Sequence, residues 1–147
     1  MKHFICMKAS ILVFFIINCS GLAFGQDTLD AHTLKLKEIS LDTKYGFKSS
    51  VGKSIKVGSI DNQIRYINAL TGPNGEKVYA ERLESCCPFN WDKAVYGTGY
   101  LDKWQVIHSG LRKPVILYLN GYGYDNPKCP VGFDFKKEAD VPKVGAD

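Results

Sequence analysis

Apolar positions fall along this chain in three patterns. The first is an unbroken run from Ile11 to Ile17, preceded by Lys2, His3 and Lys8 and followed by the small residues Gly21, Ala23 and Gly25. A basic start, a short apolar centre and a small-residue exit make up the layout of a secretory signal peptide. The run is well short of the roughly 20 residues that cross a bilayer, and no later stretch approaches that length.

The second pattern is alternation, which predicts strands. Between Thr33 and Leu41, Leu34, Leu36, Ile39 and Leu41 sit among Lys35, Lys37 and Glu38, first alternating and then slipping, as in an edge strand or an ordered arm. Lys77 to Leu83 reads as a strand ending near Cys86 and Cys87, where Pro88 is expected to stop pairing. Pro88 to Thr98 reads as loop. Tyr100 to His108 places Trp104, Val106 and His108 on one face. Val115 to Tyr122 is apolar on both faces, which predicts a central strand covered on both sides. Val131 to Phe135 reads as a last short strand.

The third pattern is helical. Ile60, Ile64, Ile67 and Leu70 recur at the spacing of one helix face, Ser59 or Asp61 can cap its start, and Gly72-Pro73 can end it. That stripe is expected to pack on the sheet. Pro73-Asn74-Gly75 is a turn signal. Together the elements predict an α+β fold, a small antiparallel sheet with one main helix packed on it. The expected organisation is a signal peptide over 1–25, a tether over 26–33, a single α+β domain over 34–137 and a flexible tail over 138–147.

Cleavage after Gly25 removes 25 of the 147 residues and leaves 122, enough for one domain with a core but not for two. A second processing route uses Ile16-Ile17-Asn18-Cys19 as a loose lipobox, with Cys19 acylated as the sole membrane attachment. Loss of Lys2 and Lys8 lowers the formal charge from +4 to +2. Such a near-neutral chain supplies no electrostatic basis for binding nucleic acid. Met1 and Met7 leave with the signal peptide, which removes the thioethers of a methionine-rich copper site. Nothing in the sequence calls for a cofactor.

Three cysteines remain, Cys86, Cys87 and Cys129, in a chain bound for an oxidising compartment. Neighbours in sequence rarely bond to each other, so the expected disulfide joins Cys87 to Cys129, or Cys86 to Cys129, and leaves one thiol over. On the chain-entropy model a loop of about 40 residues closed this way stabilises by roughly 4 kcal/mol. A reactive alternative pairs Cys86 or Cys87 with His108 as a base, although no Cys-x-x-Cys spacing is present. Cys86, Cys87, Cys129 and His108 match zinc in number but not in spacing, and no metal is expected. Gly52-Lys53-Ser54 imitates the end of a phosphate loop, but the position that must hold its first glycine is Phe47, and Gly46 sits one residue too early. No Gly-x-Ser-x-Gly elbow occurs. Glu81, Glu84, Asp92 and Asp102 supply carboxylates, as any chain this acidic would. Trp91, Tyr96, Tyr100, Tyr122 and Tyr124 gather in segments flanking the cysteines, and such rings offer large contact area at low entropic cost.

These residues carry a resemblance. The stretches Tyr66-Ile67-Asn68-Ala69-Leu70-Thr71-Gly72-Pro73-Asn74-Gly75, Ser85-Cys86-Cys87-Pro88-Phe89, Gly99-Tyr100-Leu101-Asp102, Leu117-Tyr118-Leu119-Asn120 and Pro130-Val131-Gly132-Phe133 resemble a group of small exported proteins and lipoproteins of Bacteroidetes-type bacteria. The likeness spans about Tyr45 to Phe135. Some members carry the name 2-dehydro-3-deoxyphosphooctonate aldolase, an activity of barrels of about 250 residues, and the group supplies no catalytic residues to carry over. Cys129 departs from its pattern, in which the cysteine pair often stands without a third. The combined expectation is an exported protein, periplasmic, outer-membrane-associated or secreted. It is expected to be a non-catalytic binding or structural module that meets an envelope protein or glycan through its aromatic residues. A thiol-active protein is the alternative, and the aldolase ranks third.

Overall fold

The structure, a computed structural model, describes residues 34–137. The expected signal peptide, tether and tail, and the alternative lipid site at Cys19, lie outside the described residues. The elements in order are β1 (Ile55–Lys56), α1 (Ile60–Ala69), β2 (Leu70–Thr71), β3 (Tyr79–Asn90), β4 (Thr98–Ile107), β5 (Val115–Asn120) and β6 (Asp134–Phe135).

Four strands form one sheet in the order β1-β5-β4-β3, and β2 pairs with β6 in a small second sheet. The main sheet is mixed, not wholly antiparallel as expected. β3, β4 and β5 are antiparallel neighbours, whereas β1 joins β5 in parallel, with Ile55 opposite Leu119. A parallel partner needs a crossover rather than a tight turn, and here the chain between β1 and β5 holds α1 and both long strands. The fold is thus mostly sheet, and α+β in a loose sense. β5 is central, as its two apolar faces imply: Leu117 and Leu119 are fully buried, while Ile116 and Tyr118 are half-covered on the other side. With Ile55, Val57, Val106, Tyr66, Ile67, Leu70 and Phe133 they make up most of the core. Each such side chain, fully buried, contributes roughly 1.5–3 kcal/mol.

α1 starts where the sequence says. The Ser59 hydroxyl accepts from the Asn62 amide at 3.0 Å, occupying one of the amide groups left over in the first turn. It ends earlier than Gly72-Pro73, because Leu70 is already extended and pairs with Phe135. The buried face also differs from the expected apolar stripe. Ile60 and Ile64 are 66% and 47% exposed, whereas Asn62, Gln63, Tyr66 and Ile67 are buried. Two polar side chains can turn inward because each finds a partner: Asn62 Nδ2 donates to the Val57 carbonyl at 2.9 Å, and Gln63 is bonded to β4.

β3 runs straight through the cysteines and Pro88, so the segment expected to be loop is partly strand. Pro88 is tolerated because β3 is the edge of the sheet and because the register shifts there, between Cys86 and Phe89. Asn74-Gly75 turns as expected, with Gly75 at φ +83° and its amide bonded to the Gly72 carbonyl at 3.0 Å. The glycine-lysine-serine imitation of a phosphate loop is an ordinary turn. Lys53 is paired with Asp42 at 2.7 Å, and the Ser54 hydroxyl donates to the Val51 carbonyl at 3.0 Å.

The rotated helix face has a direct test in urea unfolding. Ile60→Ala is expected to change stability by no more than about 0.5 kcal/mol, while Tyr66→Ala is expected to cost about 3–5 kcal/mol. Equal losses would mean that the apolar stripe faces the core after all.

Candidate functional site

Asp102, on β4 and 6% exposed, is the centre of a polar cluster. Its Oδ2 accepts from Gln63 Nε2 of α1 at 2.6 Å. Its Oδ1 accepts from Arg82 Nη2 and from the Ser85 hydroxyl of β3, each at 2.6 Å. Arg82 Nη2 also reaches the Ser85 oxygen at 2.8 Å, and Trp104 Nε1 donates to Gln63 Oε1 at 3.0 Å, which fixes the orientation of that amide. The sheet register places these groups together: Arg82 lies opposite Trp104 and Ser85 opposite Asp102, with one extra β3 residue between the two pairs.

Over this floor opens a cleft of about 250 Å³ between α1 and the free end of the sheet. Ile60 and Gln63 line one side, Arg82 and Ser85 another, and Tyr100, Gly121 and Tyr122 complete it. Asn120 shapes the wall that carries Tyr122. Buried at the end of β5, its Oδ1 accepts from the amides of Tyr122 and Gly123 at 2.8 and 3.1 Å, the local turn typical of asparagine. Gly121 lets the wall approach the helix, since a Cβ there would lie 3.0 Å from Gln63 Nε2.

Of the five aromatic residues singled out from the sequence, Tyr100 and Tyr122 line the cleft. Trp91 joins Tyr122 from outside, with ring centroids 6.3 Å apart. Phe89, absent from the expected set, touches both, at 6.4 Å from Trp91 and 5.8 Å from Tyr122. Its ring occupies the space left by Gly99, where a Cβ would stand 2.6 Å from Phe89 Cζ. Tyr96 stands apart, 92% exposed in the turn after Trp91. Tyr124 sits beyond the cleft wall, its hydroxyl bonded to Asn126 at 3.2 Å and its backbone bridged to Val57.

The expected disulfide to Cys129 is not formed. Cys86 and Cys87 are joined to each other, and Cys129 is a buried, unbonded thiol. Consecutive residues of a regular strand point to opposite faces. Here the bulge and the left-handed backbone of Cys87, at φ +58°, turn the two sulfurs toward one another. Cys129 is held far from the edge strand. Its amide and carbonyl bond the arm at Glu38 and Ser40, each at 2.8 Å, and the preceding Lys128 carbonyl accepts from the Tyr66 hydroxyl at 2.6 Å. Burial pushes the Cys129 thiol up to about 12, with the Asp134 charge adding to the effect.

His108 does not join the cysteines. Cys86 lies opposite Leu101, and His108 follows seven residues later, roughly 23 Å along the strand line at 3.3 Å per residue. Both ring nitrogens are occupied. Nδ1 accepts from the Gly110 amide at 3.1 Å, so Nε2 carries the proton toward the Gly132 carbonyl, also at 3.1 Å. This histidine braces a turn against Phe133. Among the described residues no group of three or more His, Cys, Asp or Glu side chains is placed to hold a metal ion.

No protein-family model, curated protein or solved structure matches the chain. The site therefore stands on its own geometry. Gln63 and Arg82 were not singled out in the sequence, Ser85 and Phe89 entered only as the ends of the Ser85-Cys86-Cys87-Pro88-Phe89 motif, and Asp102 was one carboxylate among many. The available signal was a second helical stripe, Asn62-Gln63-Tyr66-Ile67, which a reading by hydrophobicity passes over because half of it is polar.

Removing the carboxylate by Asp102→Ala leaves the Gln63 amide and Arg82 without their partner, and is expected to cost about 2–3 kcal/mol in denaturant unfolding. The buried hydroxyls and thiol set an alkaline limit. Burial raises Tyr45 to about 12 and Tyr66 well above its ordinary value, alongside Cys129. The fold favours their neutral forms, so this stabilisation is complete below about pH 9 and is lost as pH rises toward 12. The melting temperature is expected to fall across that window. At pH 8 native Cys129, buried and with its thiol held protonated, should resist iodoacetamide.

Proposed function

We propose that this protein is a non-catalytic binding module of the cell envelope, exported there and meeting a glycan or a partner protein through the cleft above Asp102. One observation carries this reading: two half-exposed tyrosines, Tyr100 and Tyr122, rim a cleft whose polar floor is already bonded to itself. A floor with its geometry set before the ligand arrives loses little freedom on binding. Rings beside a cluster of donors and acceptors suit a sugar, whose apolar face stacks while its hydroxyls find Arg82 and Ser85. They equally suit an anchoring side chain of a protein partner. At about 250 Å³ the cleft lies below the roughly 300–1,000 Å³ of sites that enclose whole small molecules. It fits a ring or two.

The resemblance to small exported proteins supports the envelope location, and among the described residues no helix is long and apolar enough to cross a membrane. A catalyst built from Cys86 or Cys87 with His108 draws no support from residues so far apart. The aldolase activity is likewise unsupported, since that chemistry belongs to a barrel of about 250 residues and the main sheet here has four strands.

Sedimentation with purified cell-envelope fragments tests the reading. Wild-type protein is expected to be retained, and Tyr100→Ala or Tyr122→Ala to weaken retention roughly tenfold or more, with the circular dichroism spectrum unchanged. Treating the fragments with protease or with glycan-cleaving enzymes separates a protein partner from a glycan. Equal retention of wild type and both variants would remove the cleft from the account.

A further inference from the structure

We propose that the Cys86–Cys87 bond is a reversible exchange site for a dithiol reductant, and that its reduction rearranges the cleft wall at Tyr122, against which Phe89 packs. The first part stands whatever the cleft binds.

A bond between chain neighbours closes the shortest loop available to a disulfide, and loop-closure stabilisation is smallest for the shortest loops. It does not staple distant parts of this fold together, so holding the domain folded is not its use. Its position invites exchange. Among the described residues β3 is an edge strand with no strand partner on its outer side, and both cysteines are only half-buried. Exchange requires a thiolate to reach one sulfur, and from that side the route is open. The pair is also self-sufficient, because each cysteine is the other's resolving thiol, while Cys129 is buried elsewhere.

The step balances as follows. A thiolate of the reductant attacks Cys86 or Cys87, the sulfur–sulfur bond breaks, and the displaced sulfur leaves as a thiolate that takes a proton from water. The second thiol of the reductant, deprotonated, then displaces the remaining protein sulfur, which is protonated in turn. Two electrons pass to the protein, which ends with two thiols, and the reductant ends as a disulfide.

The consequence for the cleft follows from what flanks the pair. Cys87 is held at φ +58°, a conformation that residues with side chains seldom adopt. The register slips there, so that Cys86 lies opposite Leu101 but Phe89 opposite Gly99. Without the bond Cys87 is released toward negative φ, and the bulge loses the link that sets its shape. Phe89 sits two residues on, seated over Gly99 and against both Trp91 and Tyr122. Ser85, one residue before the pair, is bonded to Asp102. A change in the bulge therefore acts on the cleft from two sides.

The experiment uses the mature chain as purified without reductant. Alkylation in denaturant, read by mass, is expected to find one thiol per chain, Cys129. After dithiothreitol the count is expected to rise to three, with Cys86 and Cys87 labelled already under native conditions. Trp91 emission is expected to shift on reduction and to return on reoxidation, and Trp91→Phe should remove the shift while Trp104 still emits. Cys86→Ser/Cys87→Ser should resemble the reduced protein, and should it fail to fold, the wild-type reduction series decides alone. Three thiols before any reductant, or resistance of the pair to dithiothreitol in the folded protein, would overturn the exchange site. Reduction without an emission change would overturn the coupling. Both failures are distinct from a negative envelope-binding result, which concerns Tyr100 and Tyr122 in the oxidised protein.

Discussion

A carboxylate taken out of water must be matched by charge and hydrogen bonds, because an unmatched one costs several kcal/mol. Asp102, on β4, meets this condition with three donors from two other elements: Gln63 on α1, and Arg82 and Ser85 on β3. That requirement sets how α1 is rotated about its axis. Successive residues turn by about 100°, so pointing Gln63 at Asp102 brings Tyr66 and Ile67 onto the core and swings Ile60 and Ile64 outward. The exposed Ile60 at the cleft rim is a by-product of satisfying one buried charge.

The same interaction ties the edge strand to the body of the sheet. β3 is long, outermost and largely exposed, the kind of strand that invites unwanted pairing with other chains. Two register shifts, Pro88 and the charges of Glu81, Arg82 and Glu84 all work against such pairing. Glu84 is further occupied by Lys103 at 2.6 Å, which holds its carboxyl below the usual range. The irregularity that protects the edge also brings the two cysteine sulfurs together and lifts Phe89 over Gly99. Edge protection, the sulfur pair and the aromatic wall are thus one local feature.

The strands β4 and β5, the helix with its Ser59 cap, the Asn74-Gly75 turn and the central place of β5 were legible in the sequence, because each rests on local spacing or on turn chemistry. The contents of the cleft were partly legible. Tyr100 and Tyr122 drew notice as rings near the cysteines, while Gln63, Arg82 and Ser85 are ordinary surface residue types whose meaning lies only in facing Asp102. The disulfide expectation failed for a related reason. Adjacent cysteines in a regular strand point apart, and only the bulge, which depends on how β3 is matched to β4, turns them together.

Period and turn chemistry by themselves marked α1 with its cap, the strands β4 and β5 and the Asn74-Gly75 turn, since those preferences act between residues a few positions apart. Tertiary structure alone decided which helix face is buried, that β1 joins in parallel, that Cys129 stays unpaired, and that three polar side chains converge on one carboxylate. Each of these is settled by groups far apart in the chain, where burial and hydrogen-bond matching outweigh local preference.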